Sequence, residues 1–395
     1  MNTKIINAFA QDPNPKNMDK LISLFENDAT EEDILHLTLS IAKNARENPG
    51  FPAVDIPSTG GPGSLSTLLC PLFLSAKGNK VLKLGVPGRP AGGIDILAQI
   101  PNYKIIFTKD EYVNLLSNTN YIHFLTSEQF LPLDNILYNY RENKKKVNVP
   151  NLAIASILSK KIALGLSFVG LDVRVSEFNN FGKDIHECRN YANKFNRIAD
   201  KLDINSICFI NDTSQQLQPY IGRGEALLAL QKLLNDEQDL WLQKHIKECE
   251  NMVDIFIKAF RLKNENGDYK NALLDNLKWQ GANSKDFIEY VAKIGQKKRT
   301  IIRADREGYL QFNLNCIREI LISIQAKNSN EPFADNIGIV LLKESGSHVK
   351  KNDEILSLRC DEEYLEIVLA KIIGTYSINN FDNNSRQKME VIYNG

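Results

Sequence analysis

DIPSTGGPGSLSTLLCPLFLSAKGNKVLKLGVPGRPAGGIDILAQIP, the stretch from Asp55 to Pro101, decides how the chain is read. It opens with a polar glycine loop, Ser58-Thr59-Gly60-Gly61-Pro62-Gly63-Ser64, that runs straight into an apolar helical segment. It continues through a strand predicted over Lys80 to Leu84 into a second glycine-proline loop, Gly85 to Gly93. Glycine lets the backbone approach a ligand closely, and amide groups in such loops and at a helix start can point at an anion. Two loops of this kind in one strand-helix unit predict a phosphate pocket. Ser58, Gly60 and Gly61 form its first half, with a tight strand-to-helix turn as the plain alternative. Ser66 and Thr67 offer hydroxyls in the first helical turn, where capping the backbone is the competing use. Lys83 and Arg89 are the cations nearest the second loop, and a guanidinium can clamp an anion through two parallel hydrogen bonds.

The flanking sequence carries the alternation onward. Tyr103 to Phe107 and Tyr121 to Leu125 read as short buried strands around a helix from Lys109 to Ser117. Phe168 to Val175 and Ser206 to Ile210 read as further strands, separated by a helix from about Lys183 to Leu202. Strand, helix and strand in that order predict an α/β fold with parallel crossovers. Upstream, residues 16–47 read as two helices, the second opening on Thr30 and Asp33 in capping-box spacing. Asn48-Pro49-Gly50-Phe51-Pro52 reads as a linker or hinge. From Leu133 to Leu166 the chain returns to helix, with Pro150 suited to a first helical position. Ser156 and Lys160, four apart, share a face there. Beyond about Arg299 come shorter strands, Gly308 to Asn313, Ile337 to Leu342 and Glu354 to Leu358, in a small mixed α+β lobe.

Composition narrows the function classes. At 395 residues the chain has room for two or three domains. Lys plus Arg and Asp plus Glu number 48 each, so no overall field favours nucleic acid or a membrane surface. The N-terminus has no signal-peptide pattern, and the apolar run Leu65 to Ala76 is shorter than the ~20 residues a membrane span needs. Cys70, Cys188, Cys208, Cys249, Cys316 and Cys360 are scattered, which predicts neither a zinc site nor a disulfide framework. A reduced, cytoplasmic enzyme without a metal fits best. His123 lies on an apolar strand and reads as structural, and His36, His186, His245 and His348 have no partner pattern.

In order along the chain, the motifs resemble those of the pyrimidine-nucleoside phosphorylase family, the group that includes thymidine phosphorylase. The family carries D-K-H-S-T-G-G-x-G, and here Asp55-Ile56-Pro57-Ser58-Thr59-Gly60-Gly61-Pro62-Gly63 stands in its place. Its K-x-S-G-R-G and later G-G-T-x-D are similar to Lys83-Leu84-Gly85-Val86-Pro87-Gly88 and Gly92-Gly93-Ile94-Asp95. L-Y-A-L-R-D resembles Leu137-Tyr138-Asn139-Tyr140-Arg141-Glu142, and A-S-I-L-x-K-K matches Ala155-Ser156-Ile157-Leu158-Ser159-Lys160-Lys161. D-V-K-V resembles Asp172-Val173-Arg174-Val175, and Q-P-x-G resembles Gln218-Pro219 with Gly222-Arg223-Gly224.

The resemblance implies a helical domain from residues 1–50 and 133–166 for dimerisation and base binding. It implies an α/β phosphate-binding domain from 51–132 and 167–298, and a C-terminal lobe from 299–395. It further implies a homodimer joined through the helical domain, and phosphate displacing a pyrimidine from the sugar's anomeric carbon, with inorganic phosphate as co-substrate and no other cofactor. Arg141, Ser156 and Lys160 are then the base-binding residues, with Arg141 and Lys160 catalytic. Ser58, Gly60, Gly61, Ser66, Thr67, Lys83 and Arg89 are the phosphate-binding set. A solvated basic helix face, with Lys144, Lys145, Lys146 and Lys161 beside the trio, is the competing reading.

Departures from the family cluster on the phosphate side. Ile56-Pro57 replaces Lys-His, Gly85 replaces serine, Ile94 replaces threonine, and Ser176 to Phe181 replaces a G-S-G-A-F-M loop. Charge-assisted hydrogen bonds contribute roughly 1.5–3 kcal/mol each, so these losses are expected to weaken phosphate binding unless another group substitutes. Two further readings stay open. The first loop also resembles that of anthranilate phosphoribosyltransferase, which would make the reaction a phosphoribosyl transfer. A non-catalytic nucleoside-binding paralogue is the other.

Overall fold

The computed structural model describes residues 2–43, 52–90, 92–126, 130–176, 181–325, 331, 333–381 and 386–394. Residues 48–51 of the expected linker and 177–180 of the segment after Val175 lie outside them. At the N-terminus, α1 (Asn2–Gln11), α2 (Pro15–Asn27) and α3 (Glu31–Ala42) turn amphipathic faces inward; the two-helix reading omitted α1. Thr30 and Asp33 form both reciprocal bonds of the capping box at the start of α3. These helices pack with α7 (Pro132–Asn143) and α8 (Pro150–Ala163), and proline opens each of α7 and α8.

Between these helical segments and after them the chain winds the central sheet. Its first part is β1 (Ala53–Asp55), α4 (Ser66–Ala76), β2 (Lys80–Gly85), α5 (Gly93–Leu97), α6 (Lys109–Asn118) and β3 (Tyr121–Leu125). After α8 come β4 (Phe168–Val175), α9 (Ile185–Asp200) and β5 (Asn205–Asp212). The strands order as β5-β4-β1-β2-β3, all parallel. The chain therefore grows outward in one direction from β1 to β3 and in the other from β4 to β5. Open α/β sheets bind ligands at the carboxyl ends of the strands where this direction switches, here between β1 and β4.

One sheet face shares a continuous apolar core with the helical domain through α9, α8 and α6, containing Leu82, Phe124, Leu171 and Phe195. The other face packs on α4 and on α10 (Arg223–Asn235), α11 (Leu240–Phe260), α12 (Tyr269–Trp279) and α13 (Ser284–Gln296). Burial on both faces explains why the strands carry apolar residues on both sides, with Lys83, His123, Asp172 and Arg174 among the exceptions. Tyr103 to Phe107, expected as a strand, forms none. The segment passes the end of edge strand β3, giving it one bond, Leu125 N to Ile105 O, while Lys104 N donates to Gln280 O at the end of α12.

The last part contains β7 (Arg299–Arg303), β8 (Gly308–Phe312), α14 (Leu314–Gln325), β9 (Ile337–Leu341), β10 (His348–Val349), β11 (Glu354–Cys360), α15 (Glu362–Ile372) and β12 (Tyr376–Asn379). Two small antiparallel sheets result, β10-β8-β12 and β6-β9-β11-β7, where β6 (Tyr220–Ile221) precedes α10. Finally β13 (Glu390–Tyr393) crosses back to pair antiparallel with β5. The lobe and the central sheet thus exchange strands.

A buried ion cluster fastens that lobe to α10. Arg359 grips Glu225 with two bonds of 2.9 and 2.8 Å and also reaches Asp335, while Arg299 adds a bond to Glu225. Burial alone would raise the Glu225 carboxyl, but Arg359 and Arg299 outweigh it and hold it below its ordinary value. Gly338 on β9 is the floor beneath this carboxylate, and a methyl group there would overlap Glu225. Gly338→Ala is therefore expected to destabilise the protein by about 1–3 kcal/mol. Thermal unfolding reads this directly, and an unchanged melting temperature would contradict it.

Candidate functional site

At the switch point the first glycine loop leaves β1. Pro57 O accepts from Asp172 N and Thr59 N donates to Asp172 O, so the loop follows β4 before turning away. Gly60 and Gly61 make the turn with φ of 100° and 119°, a region where other residues are strained. Arg174 fixes the turn from below: its backbone N donates to Thr59 Oγ1, Nη1 to Gly61 O, and Nε to Asp172 Oδ2. The second loop leaves β2 and is fixed from the opposite side. Gly88 N donates to Asp95 Oδ1, and the Arg223 guanidinium donates to Arg89 O and lies 3.3 Å from Asp95 Oδ1.

Both loops open on a cleft of about 200 Å³ whose far wall is α7 and α8. Ser58, Gly60, Gly61, Thr67, Lys83 and Arg89 line it together with Arg141, Ser156 and Lys160. The structure thus brings the two expected residue sets into one cavity. Ser66 stands apart. Its hydroxyl donates to Asp172 Oδ2 at 2.6 Å and accepts from Arg174 Nη2 at 2.7 Å, behind the loop and away from the cleft. Neighbouring helix positions face about 100° apart, so only Thr67 of the two faces the cavity. Arg89 reaches across to α7, with its guanidinium 5.0 Å from the centre of the Tyr138 ring.

The floor of the cleft holds an ion triad built from distant parts of the chain. Asp55 at the end of β1 is fully buried, with Lys83 Nζ 2.9 Å from Oδ1 and Lys161 Nζ 2.5 Å from Oδ2. Burial pushes the Asp55 carboxyl up, yet Lys161 and Lys83 overcome it and hold it below its ordinary value. Two ammonium groups on one carboxylate leave a net positive charge beneath the loops. Ile56, where the family has lysine, points the other way into the apolar layer and is packed against Gly170. Position 56 thus brings no charge to the loop, and the positive charge comes from the floor.

On the α8 wall Ser156 Oγ donates to Asp134 Oδ1 at 2.6 Å, and Lys160 Nζ donates to Ser156 Oγ at 2.8 Å while pairing with Asp134 Oδ2 at 2.5 Å. Burial lowers the Lys160 ammonium below its usual range, with Asp134 opposing. Arg141 donates Nε and Nη2 to the carbonyls of Lys146 and Val147, and burial brings it down to about 10. Lys161, grouped in sequence with a solvated basic face, is buried in the floor instead. Asp55, Asp134, Lys161, Arg174 and Arg223 are the site-forming residues that sequence reading missed. Asp55, Lys161, Arg174 and Arg223 stand in the quoted motifs without an assigned role, and Asp134 precedes Arg141 by two helical turns.

Asp95 carries a pH dependence. Burial raises its carboxyl to about 7, against the opposing pull of Arg223 and the Gly88 amide. The folded state thus holds this proton more tightly than an unfolded chain with an ordinary value near about 3.9. The stability it contributes is greatest at low pH and is lost as pH rises through about 7. Asp95→Asn is expected to shrink the stability difference between acidic and mildly alkaline buffer, read by urea denaturation; an unchanged difference would sink that assignment.

No family model matches the chain. Among curated proteins, it is 24% identical over 381 residues to the pyrimidine-nucleoside phosphorylase of Staphylococcus epidermidis, covering 90% of this chain and 87% of that one. The Bacillus subtilis pyrimidine-nucleoside phosphorylase is 26% identical over 378 residues, with the same coverage of 90% and 87%. The Geobacillus stearothermophilus protein of that name is 26% identical over 335 residues, covering 81% and 77%. Of solved structures, anthranilate phosphoribosyltransferase from Thermus thermophilus aligns with a TM-score of 0.49 at 14% identity, over 74% of this chain and 93% of that one. The family resemblance carried by the motifs holds over most of the chain.

Proposed function

We propose that this protein is a pyrimidine-nucleoside phosphorylase, cleaving a pyrimidine (deoxy)nucleoside with inorganic phosphate to free base and (deoxy)ribose 1-phosphate. The observation that carries the reading is the single cleft that sets two glycine loops against Arg141, Ser156 and Lys160. Curated relatives that bear this name along most of their length support it.

Phosphate sits between the loops, held by Ser58, Thr67 and loop amides above the positive floor of Lys83 and Lys161. Its oxygen forms the bond to the anomeric carbon as the bond to the base nitrogen breaks, and that electron pair leaves on the base. Lys160 and Arg141 meet the developing negative charge, which they stabilise more than the neutral ground state. The lowered proton affinity of Lys160 makes it the better placed donor to the departing base. The helical domain would carry the homodimer contact, and the six free thiols suit a reducing cytoplasm.

Purified protein incubated with phosphate and thymidine, uridine or deoxyuridine is expected to release free base, followed by chromatography. A lack of release from all three at high enzyme concentration would refute the proposal. Thermal stabilisation by thymine under those conditions would point to a non-catalytic binder.

A further inference from the structure

His123 on β3 looks like a core residue in sequence and is buried, yet it is among the residues that line the cleft. It is the direct cross-strand partner of Lys83, so both side chains leave the same face of the sheet, and both residues line the cleft. Its backbone is clamped on both sides by Gln280, whose Oε1 accepts from His123 N and whose Nε2 donates to His123 O, each at 2.8 Å. Tyr121 Oη lies 3.0 Å from the imidazole Nδ1. A phenol is a stronger donor than a neutral imidazole N–H, and an imidazole nitrogen is a stronger acceptor than a phenol oxygen. The favoured arrangement is therefore Tyr121 donating to Nδ1, which places the ring proton on Nε2.

The two glycines of the second loop show what that nitrogen lies beside. A Cβ at Gly85, where the family has its serine, would lie 3.4 Å from His123 Nε2, with Ile94 carbons as its other near neighbours. A Cβ at Gly93 would lie 2.7 Å from His123 Cε1 and 3.0 Å from Thr67 Oγ1. The imidazole thus fills the space between Gly85 and Thr67, and Nε2 is the polar atom nearest a Cβ at position 85. Ile94 fills the rest with apolar surface. Burial and the nearby Lys83 keep the ring neutral, so it acts as an N–H donor and not as an imidazolium.

We propose that His123 Nε2–H is a phosphate-binding donor of this site, beside the position where the motif resemblance sets a serine and this chain has Gly85. The inference rests on the phosphorolysis reading for the identity of the anion. It also accounts for the combination of Gly85, Ile94 and Gly93, since a bulkier residue at either glycine would collide with Ile94 or the imidazole.

Isothermal titration of the full chain with inorganic phosphate tests it, alongside His123→Ala and His123→Gln, whose amide nitrogen can reach the Nε2 position. His123→Ala is expected to weaken phosphate binding about 10- to 100-fold, with His123→Gln recovering most of the loss and the nucleoside KM at saturating phosphate unchanged. An affinity within about twofold of the parent in His123→Ala would overturn the proposal. So would equal losses in Ala and Gln variants, which mark a packing role. Should His123→Ala fail to fold, the imidazole Nε2–H resonance of the unmodified protein is expected to shift on phosphate addition, and a static resonance overturns the assignment. If phosphate binds and nucleoside is cleaved while the variants behave like the parent, only the role of His123 falls. If the parent neither binds phosphate nor releases base, the functional reading falls with it.

Discussion

Lys160→Met is expected to lower kcat/KM for nucleoside cleavage by about 10²- to 10³-fold, the range found when one donor to a developing anion is removed. Methionine keeps the unbranched stem and its packing in α8 but has no ammonium. Most of the loss should appear in kcat, because the base is neutral in the ground state and negative only as it leaves. The KM for phosphate should stay near the parent value, since Lys160 lies on the wall opposite the loops. Removing the ammonium also leaves Asp134 with Ser156 as its remaining donor, so some stability will be lost. Lys160→Met/Asp134→Asn separates the two effects, because it removes the stranded carboxylate without returning a cation. Stability should recover in the double variant and activity should not. If activity returned with stability, Lys160 would be a structural lysine and its place in the reaction would be lost.

Local patterns carried much of the architecture into the sequence. The Thr30 and Asp33 spacing produced a capping box, Pro150 opened α8, and Phe168 to Val175 became β4. Each of these depends on residues within one turn or one strand. Tyr103 to Phe107 has strand composition but lies beyond the last ladder of the edge strand, and composition does not report whether a partner is available. The β13 crossing is equally invisible, because its register is set by β5, whose paired residues lie more than a hundred positions earlier.

The site divides in the same way. The glycine loops and the Ser156-Lys160 pair were legible, being contiguous or one helical turn apart. Which side of a loop a residue faces was not. Ser66 and Thr67 are adjacent hydroxyls on one helix, and only the position of Arg174 and Asp172 behind the loop turns Ser66 inward. Ile56 reads as a lost cation when aligned with the family, yet its side chain is a core contact in this chain. A lysine there would enter the apolar layer packed against Gly170. The floor triad joins residues 55, 83 and 161, and no local spacing encodes it.

That triad supports the largest expected effect on stability. Asp55→Asn leaves Lys83 and Lys161 facing each other in a buried site with no counter-charge, and breaking a buried pair this way typically costs about 3–5 kcal/mol. The pH dependence should change sign as well. In the parent, the Asp55 carboxyl is held below its ordinary value, so its stabilising contribution is present above the unfolded value and is lost as pH falls through the folded one. In Asp55→Asn that contribution is gone. The lysines, already pushed down by burial in the case of Lys161, lose the carboxylate that opposed the shift. The folded proton affinity of Lys161 drops further below that of the unfolded chain, so the variant should regain stability as pH rises and that ammonium loses its proton. Urea denaturation across neutral to alkaline pH reads this, with the parent as reference. Asp55→Asn/Lys161→Met should restore much of the stability at neutral pH, because one ammonium then remains with Ile56 O and the cleft to solvate it. An Asp55→Asn protein as stable as the parent at neutral pH would mean that the two lysines do not share this carboxylate, and the positive floor beneath the glycine loops would have to be abandoned.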